Sequence, residues 1–228
     1  MPVDKDKKKI QHMFSRIAQR YDLLNHLLSF GIDILWRKKT AKIMDFKGEV
    51  LLDVCGGTGD MARAFNNRTR KIICDFCHPL LRIAKNKLQH DPTFLLMEAD
   101  AFDLPMRNNS VDGITIAFGL RNLYDIDRAL KEFYRVLKNN GKLAILEFSL
   151  PENKLFRTLY VFYLRCITPF IGGIVSGDFN AYCYLQKSIE TFPRFEELVD
   201  IMGNNNYKEI CYHLFTGGIA TLYLGTKS

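Results

Sequence analysis

This 228-residue chain carries few of the marks of secretion, metal binding or nucleic-acid binding. It opens without the apolar stretch that a signal peptide needs, so its six cysteines are expected as free thiols in a reducing, cytoplasmic compartment. The CxxC at Cys74 and Cys77, followed by His78, has no second ligand pair, which favours small buried thiols over zinc. No metal is expected. Lysine and arginine outnumber aspartate and glutamate 32 to 25, but beyond KDKKK at 5–9 they are dispersed and no nucleic-acid motif accompanies them. Nucleic acid is therefore not an expected partner. Internal repeats and further low-complexity tracts are also missing. The most apolar stretch, 155–186, is interrupted by Arg157, Arg165 and Pro169, which argues against a spanning helix.

What is present, from residue 48 onward, is alternation. Strand patterns at 49–55, 71–76, 93–100 and 111–118 are interleaved with helix patterns at 60–68, 79–90 and 125–138, and a fifth strand is expected over 142–149. Asn139-Asn140-Gly141 reads as the helix stop and turn between the last two. Such a rhythm predicts an α/β fold with a parallel sheet covered on both faces. The rhythm breaks at Pro151 and resumes with a helix at 194–203 and closing strands at 207–215 and 218–227. One domain is expected. It comprises N-terminal helices over 10–46 with a break at Gly31, a core over 48–150, an insertion over 151–190, and the closing helix and strands over 191–228.

The stretch LLDVCGGTGD (51–60) sets Asp53 near the end of a buried strand and Gly56, Gly57 and Gly59 in the turn that follows. Glycines let backbone approach a ligand and present N–H groups to it. Asp75 ends the next strand, where it suits ribose hydroxyls, and Asp100 with the amide of Ala101 ends a third, where they suit an adenine edge. Residues 57–62 also satisfy a GxGxxG/A dinucleotide pattern, so an NAD-dependent dehydrogenase is the rival reading. Asp53 and Asp60 beside the loop suit a ligand carrying ammonium and sulfonium better than a pyrophosphate. S-adenosylmethionine is the favoured cofactor.

Asp53, GGTGD, Asp75, ADAFDLP and RVLKNNGKLAILEFS together resemble class I S-adenosylmethionine-dependent methyltransferases, with their Rossmann-like, doubly wound, seven-stranded sheet. More specific stretches are FSRIAQRYDLLNHLLSFGIDILWRK (14–38), FGLRN (118–122), LEFSLP (146–151), AYCYLQKSIETFP (181–193) and TGGIATLYLGTK (216–227). They are similar to the ubiquinone/menaquinone biosynthesis C-methyltransferase family from about residue 10 to the C-terminus. The resemblance implies methylation of a ring carbon of a polyprenylated quinol, demethylmenaquinol or its benzoquinol counterpart. It disfavours a methyltransferase acting on RNA. Carried over by position, Thr58, Asp75, Asp100 and Ala101 contact the cofactor, with Asp53, Gly57 and Gly59 shaping the loop. Where the family usually reads SFGLRN this chain has Ala117, without the serine hydroxyl.

An aromatic carbon becomes nucleophilic when a ring hydroxyl loses its proton, so the quinol must be the reacting form. Arg121, at the end of the fourth strand, is the expected clamp for the developing phenolate, because a guanidinium does not readily deprotonate. Asn122 is expected to orient the same oxygen, and Tyr21 and Asn25, one helical turn apart, to face the same pocket. The plainer alternatives are a local Arg121–Asp125 salt bridge, a core Tyr21 and a turn residue at Asn25. Glu147 is either a reacting acid or structural. A long isoprenoid tail further implies peripheral contact with a membrane surface, expected through the insertion and the basic N-terminus. The resemblance leaves room for a homo-oligomer or association with other quinone-biosynthesis enzymes.

Overall fold

The computed structural model describes residues 4–65 and 68–228. Three N-terminal helices, α1 (Lys7–Ile17), α2 (Tyr21–Leu28) and α3 (Ile32–Met44), precede the sheet. Gly31, at φ 73°, separates α2 from α3 in a conformation glycine adopts without Cβ strain. The core then runs β1 (Val50–Val54), β2 (Arg70–Asp75), α4 (His78–Leu88), β3 (Phe94–Glu98), β4 (Val111–Ala117), α5 (Ile126–Val136) and β5 (Leu137–Phe148). Helices α6 (Lys154–Phe162), α7 (Thr168–Ser176) and α8 (Phe179–Thr191) follow, then α9 (Glu196–Asn204), β6 (Tyr207–Phe215) and β7 (Ala220–Lys227).

The strands form one seven-stranded sheet in the order β3-β2-β1-β4-β5-β7-β6. The first five are parallel, while β7 runs antiparallel to both β5 and β6. Alternation along β1 divides the core. Leu52 and Val54 join the cluster containing Leu130, Phe133, Leu198 and Met202 from α5 and α9, whereas Leu51 packs with Trp36 and Met44 of α3. Both faces are thus covered by helices. Chain order reverses at β1, whose neighbours are β2 and β4, and a crevice at such a switch point is where open α/β sheets bind ligands.

Two local expectations change. In place of a helix over 60–68 there is one tight turn, Ala62–Ala64, after which Phe65 turns extended at φ −89° and ψ 158°. Its ring is buried edge-on against Phe46, 6.1 Å between centroids, and this packing draws the chain out of helix. Residues 66 and 67 of the expected helix lie outside the described residues. Asn139-Asn140-Gly141 does not separate helix from strand: α5 ends at Val136 and β5 begins at Leu137. Asn140, at φ 61°, accommodates instead an irregularity in the β4–β5 register.

Candidate active site

The loop after β1 is tied down from beneath. Asp53 is fully buried, accepting hydrogen bonds from the Thr115 hydroxyl at 2.7 Å and the Ala62 N–H at 3.2 Å. Burial pushes its carboxyl up to about 7, against the pull of those hydrogen bonds. Asp75, at the end of β2, accepts the Gly57 N–H at 2.9 Å and the Cys77 N–H at 2.8 Å, and burial raises it to about 6. Gly59 has φ 87°, and a Cβ there would lie 2.7 Å from Ile73 Cδ1. Both conformation and space therefore require glycine.

The N-terminal helices lie over this loop. The Thr58 hydroxyl donates to Asp22 of α2 at 2.6 Å, while the Lys87 ammonium of α4 donates to Asp22 at 2.7 Å and also bonds Asp60. Farther along, Lys7 pairs with Asp100 at 2.5 Å, and Asp100 also accepts the Phe102 N–H at 3.0 Å. One small cavity lies between Lys7 and Phe14 above and Asp75, Asp100 and Ala101 below. A second lies among Asp53, Gly56, Thr58, Asp60 and Ala117. Tyr21 and Cys55 line both.

The residues lining these paired cavities suit S-adenosylmethionine in their chemistry. Asp75, Asp100 and Ala101 would hold its adenosyl end, and the Asp53–Asp60 loop its amino-acid end. Gly57 lines the first cavity, whereas Gly59 lines neither and its part is conformational. Ala117 presents a methyl group where the family resemblance supplied a hydroxyl.

A third cavity of about 320 Å³ opens beneath α6 and α8. Its wall is largely apolar, with Trp36, Phe118, Phe148 and Tyr160 among the rings, and Arg121, Asn122, Tyr21 and Asn25 all line it. Phe118, Asn122 and Tyr21 also line the adenosyl-side cavity, so the two spaces share a wall. Burial raises the Tyr21 phenol, opposed by its hydrogen bond with Asn25.

Arg121 is only 6% exposed. Its partner is not Asp125, which instead caps α5 by accepting the Arg128 N–H at 2.9 Å. The partner is Glu147, fully buried on β5, whose Oε2 accepts Arg121 Nη1 at 2.9 Å and whose Oε1 accepts the Arg121 backbone N–H at 3.1 Å. Glu147 Oε2 also accepts the Phe148 N–H at 3.1 Å, so both oxygens are engaged. Arg121 Nη1 further donates to the Phe118 carbonyl, yet its Nε–H is buried without a partner. Such a donor costs free energy unless something accepts from it.

Tyr184 of α8 is a site residue the sequence reading did not single out. Its hydroxyl donates to Asn122 Oδ1 at 3.0 Å, and burial raises its phenol to about 12, with Arg121 pulling the other way. The stretch AYCYLQ contains it, but two tyrosines in a helical pattern give no sign of which faces a cavity. Lys87 was missed for a similar reason: its partners are assembled from separate segments.

Against known proteins, residues 1–227 match the model of the ubiE/COQ5 methyltransferase family. A demethylmenaquinone methyltransferase from Thermus thermophilus is 40% identical over 220 residues, covering 94% of this chain and all of the relative. A ubiquinone/menaquinone biosynthesis C-methyltransferase from Geotalea uraniireducens is 42% identical over 228 residues, covering 96% of this chain and 97% of the relative. Among solved structures, an S-adenosylmethionine-dependent methyltransferase from Thermotoga maritima superposes with TM-score 0.67 at 20% identity, covering 95% of this chain and 99% of that one. Human N-acetylserotonin methyltransferase, solved with the cofactor, also gives 0.67, at 14% identity over all of this chain and 60% of that one. These two carry the fold alone. With sheet, cofactor loop and full-length match in agreement, the chain belongs to the ubiE/COQ5 methyltransferase family and is an S-adenosylmethionine-dependent methyltransferase.

Proposed function

We propose that this enzyme methylates a ring carbon of a polyprenylated quinol, converting a demethylmenaquinol to a menaquinol or acting on the benzoquinol counterpart. The observation that carries the reading is a buried cation, Arg121, lining an apolar cavity that shares a wall with the cofactor space. When bound, the cofactor supplies an electrophilic methyl on a sulfonium.

The chain's residues do the rest. The guanidinium of Arg121 donates to a ring oxygen and stabilises it as the hydroxyl proton leaves, which activates the neighbouring ring carbon. Glu147 holds the guanidinium in place and, with both oxygens engaged, is not the base; the hydroxyl proton passes to water, and the methylated carbon then loses its own proton as the oxygen takes one back, which restores the aromatic quinol. Asn122, oriented by Tyr184, and the Tyr21–Asn25 pair fix the ring against the shared wall, where near-attack placement supplies much of the acceleration. Asp75, Asp100, Ala101, Thr58 and the Asp53 loop bind the cofactor. Residues 154–191 cover the cavity and accommodate the tail. Because that tail resides in a bilayer, the enzyme works from the cytoplasmic side as a peripheral membrane protein.

Incubation with labelled S-adenosylmethionine and a reduced short-chain demethylmenaquinone analogue tests this reading. Methylated ring product is expected from the quinol and none from the oxidised quinone. Arg121→Ala should lower kcat by about a hundredfold or more, the usual cost of an oxyanion donor. Undiminished turnover would remove Arg121 from its assigned role.

A further inference from the structure

Among the described residues, twelve of the fifteen exposed large hydrophobic side chains lie in just two segments, 23–35 and 155–179. The segments touch: the Tyr163 hydroxyl donates to the Leu28 carbonyl at 2.8 Å, and the Phe30 and Tyr163 rings stand 6.1 Å apart. They therefore form one apolar face. A chain that leaves Phe30 79%, Phe170 66% and Ile174 69% exposed on one side of the molecule has a partner for that side.

The face is also the rim of the large cavity. Phe30 and Leu159 both line the cavity, yet Leu159 is 60% exposed, so the cavity opens between the α2–α3 turn and α6. Phe30 occupies the tip of that turn at φ 53°, a conformation costly for an aromatic residue, which holds its ring outward. The exposed charges within the two segments share one sign. Every exposed charged residue within 20–39 and 154–179 is a cation, Arg20, Lys38, Lys39, Lys154 or Arg165, the last of them paired with Glu190 of α8. The acids of those stretches are turned inward or paired, Asp22 with Lys87, Asp33 with Arg37, and Asp178 capping α8.

The segment Lys154–Ser176 is long and apolar enough to cross a bilayer by length and composition, but its geometry is that of a helix lying on one. Tyr160, Leu164, Thr168 and Gly172 are buried at four-residue intervals. Gly172 packs so tightly on Tyr182 that an added Cβ would sit 2.4 Å from the ring. One side of the segment is thus fixed to the domain, leaving the opposite side free.

We propose that this face is a docking surface for an anionic lipid monolayer, with Phe30, Phe162, Phe170 and Ile174 inserted among the acyl chains and the surrounding cations at headgroup level. A prenylated substrate then slides from the bilayer through the Phe30–Leu159 opening without its tail crossing water. Partner identity follows from the chemistry on both sides of the opening: hydrocarbon at the centre, positive charge at the edge. The proposal rests on the quinol reading, and its test separates the two.

The protein is mixed with phosphatidylcholine vesicles with and without phosphatidylglycerol, sedimented, and compared with the triple variant Phe162→Gln/Phe170→Gln/Ile174→Gln. None of these three side chains lines the cavity. The wild type is expected on vesicles, more tightly with phosphatidylglycerol, and the variant to bind about a hundredfold more weakly, with unchanged turnover of a water-soluble short-tail quinol. Turnover of a long-tail quinol embedded in vesicles should fall with binding. A wild type that stays in the supernatant at low salt, or a variant that binds equally well, overturns the proposal. So does a lipid-free dimer that the variant dissociates, because the face would then join two copies of the chain. If instead no quinol is methylated while vesicle binding behaves as expected, the substrate reading fails and the lipid surface stands.

Discussion

Glu147→Gln isolates what the buried pair contributes. The carboxylate it removes is fully buried and faces a guanidinium that is 6% exposed, so the cation is left without its counter-charge and with little water to replace it. Removing one member of such a pair costs about 3–5 kcal/mol, and glutamine, which keeps one oxygen for the Arg121 backbone N–H, belongs at the lower end. For a chain of this size, about 3 kcal/mol lowers Tm by roughly 6–12 °C. Scanning calorimetry measures the shift, and initial rates with the quinol analogue report how far the guanidinium has lost its place. We expect kcat to fall more than KM rises. The double replacement Arg121→Met/Glu147→Met should be more stable than Glu147→Gln, since it leaves no lone charge behind. A Tm within about 2 °C of wild type for Glu147→Gln, well below the expected shift, would show that Arg121 is not held by this carboxylate and refute the reasoning.

Further outcomes follow from the cofactor side. Asp53 and Asp75 titrate near about 7 and about 6 in the folded chain because they are buried, whereas in the unfolded chain they titrate near 3.8. From about pH 4 to 7 the folded form therefore holds more protons, and these two groups lower stability as pH rises. A ligand that donates to their ionised forms should bind more tightly as pH rises through 6–7 and release protons. Calorimetry of S-adenosylhomocysteine binding in two buffers of different ionisation enthalpy measures this; proton uptake would contradict it. Asp22→Ala removes the acceptor for both Thr58 and Lys87, and is expected to weaken cofactor binding with little effect on KM for the quinol. Equal affinity for S-adenosylhomocysteine in variant and wild type would show that the contact between α2 and the loop is incidental.

The strands were legible because each carries its own signal. The expected strand at 207–215 matches β6 end to end, and Asp53, Asp75 and Asp100 were placed near strand ends by pattern alone. The turn at Ala62–Ala64 was not legible, because nothing local to residues 60–65 announces that Phe65 will be drawn away to Phe46. Pairing across the fold was least accessible. Asp125 lies four residues from Arg121 and looks like its partner, yet the true partner is 26 positions away on a neighbouring strand. The exposed face belongs to the same class. Apolar periodicity over 10–46 says which sides of a helix are greasy, but not which of them lacks a neighbour.

Helix α2 is eight residues long and has no idle side. Leu24 is buried in the domain, Asp22 grips the glycine loop, Tyr21 and Asn25 form a wall of the ring cavity, and Leu23 and Leu27 face outward. Among the described residues, Tyr21 alone borders all three cavities. A shift of this one short helix would therefore disturb the glycine loop, the wall of the ring cavity and the exposed leucines together.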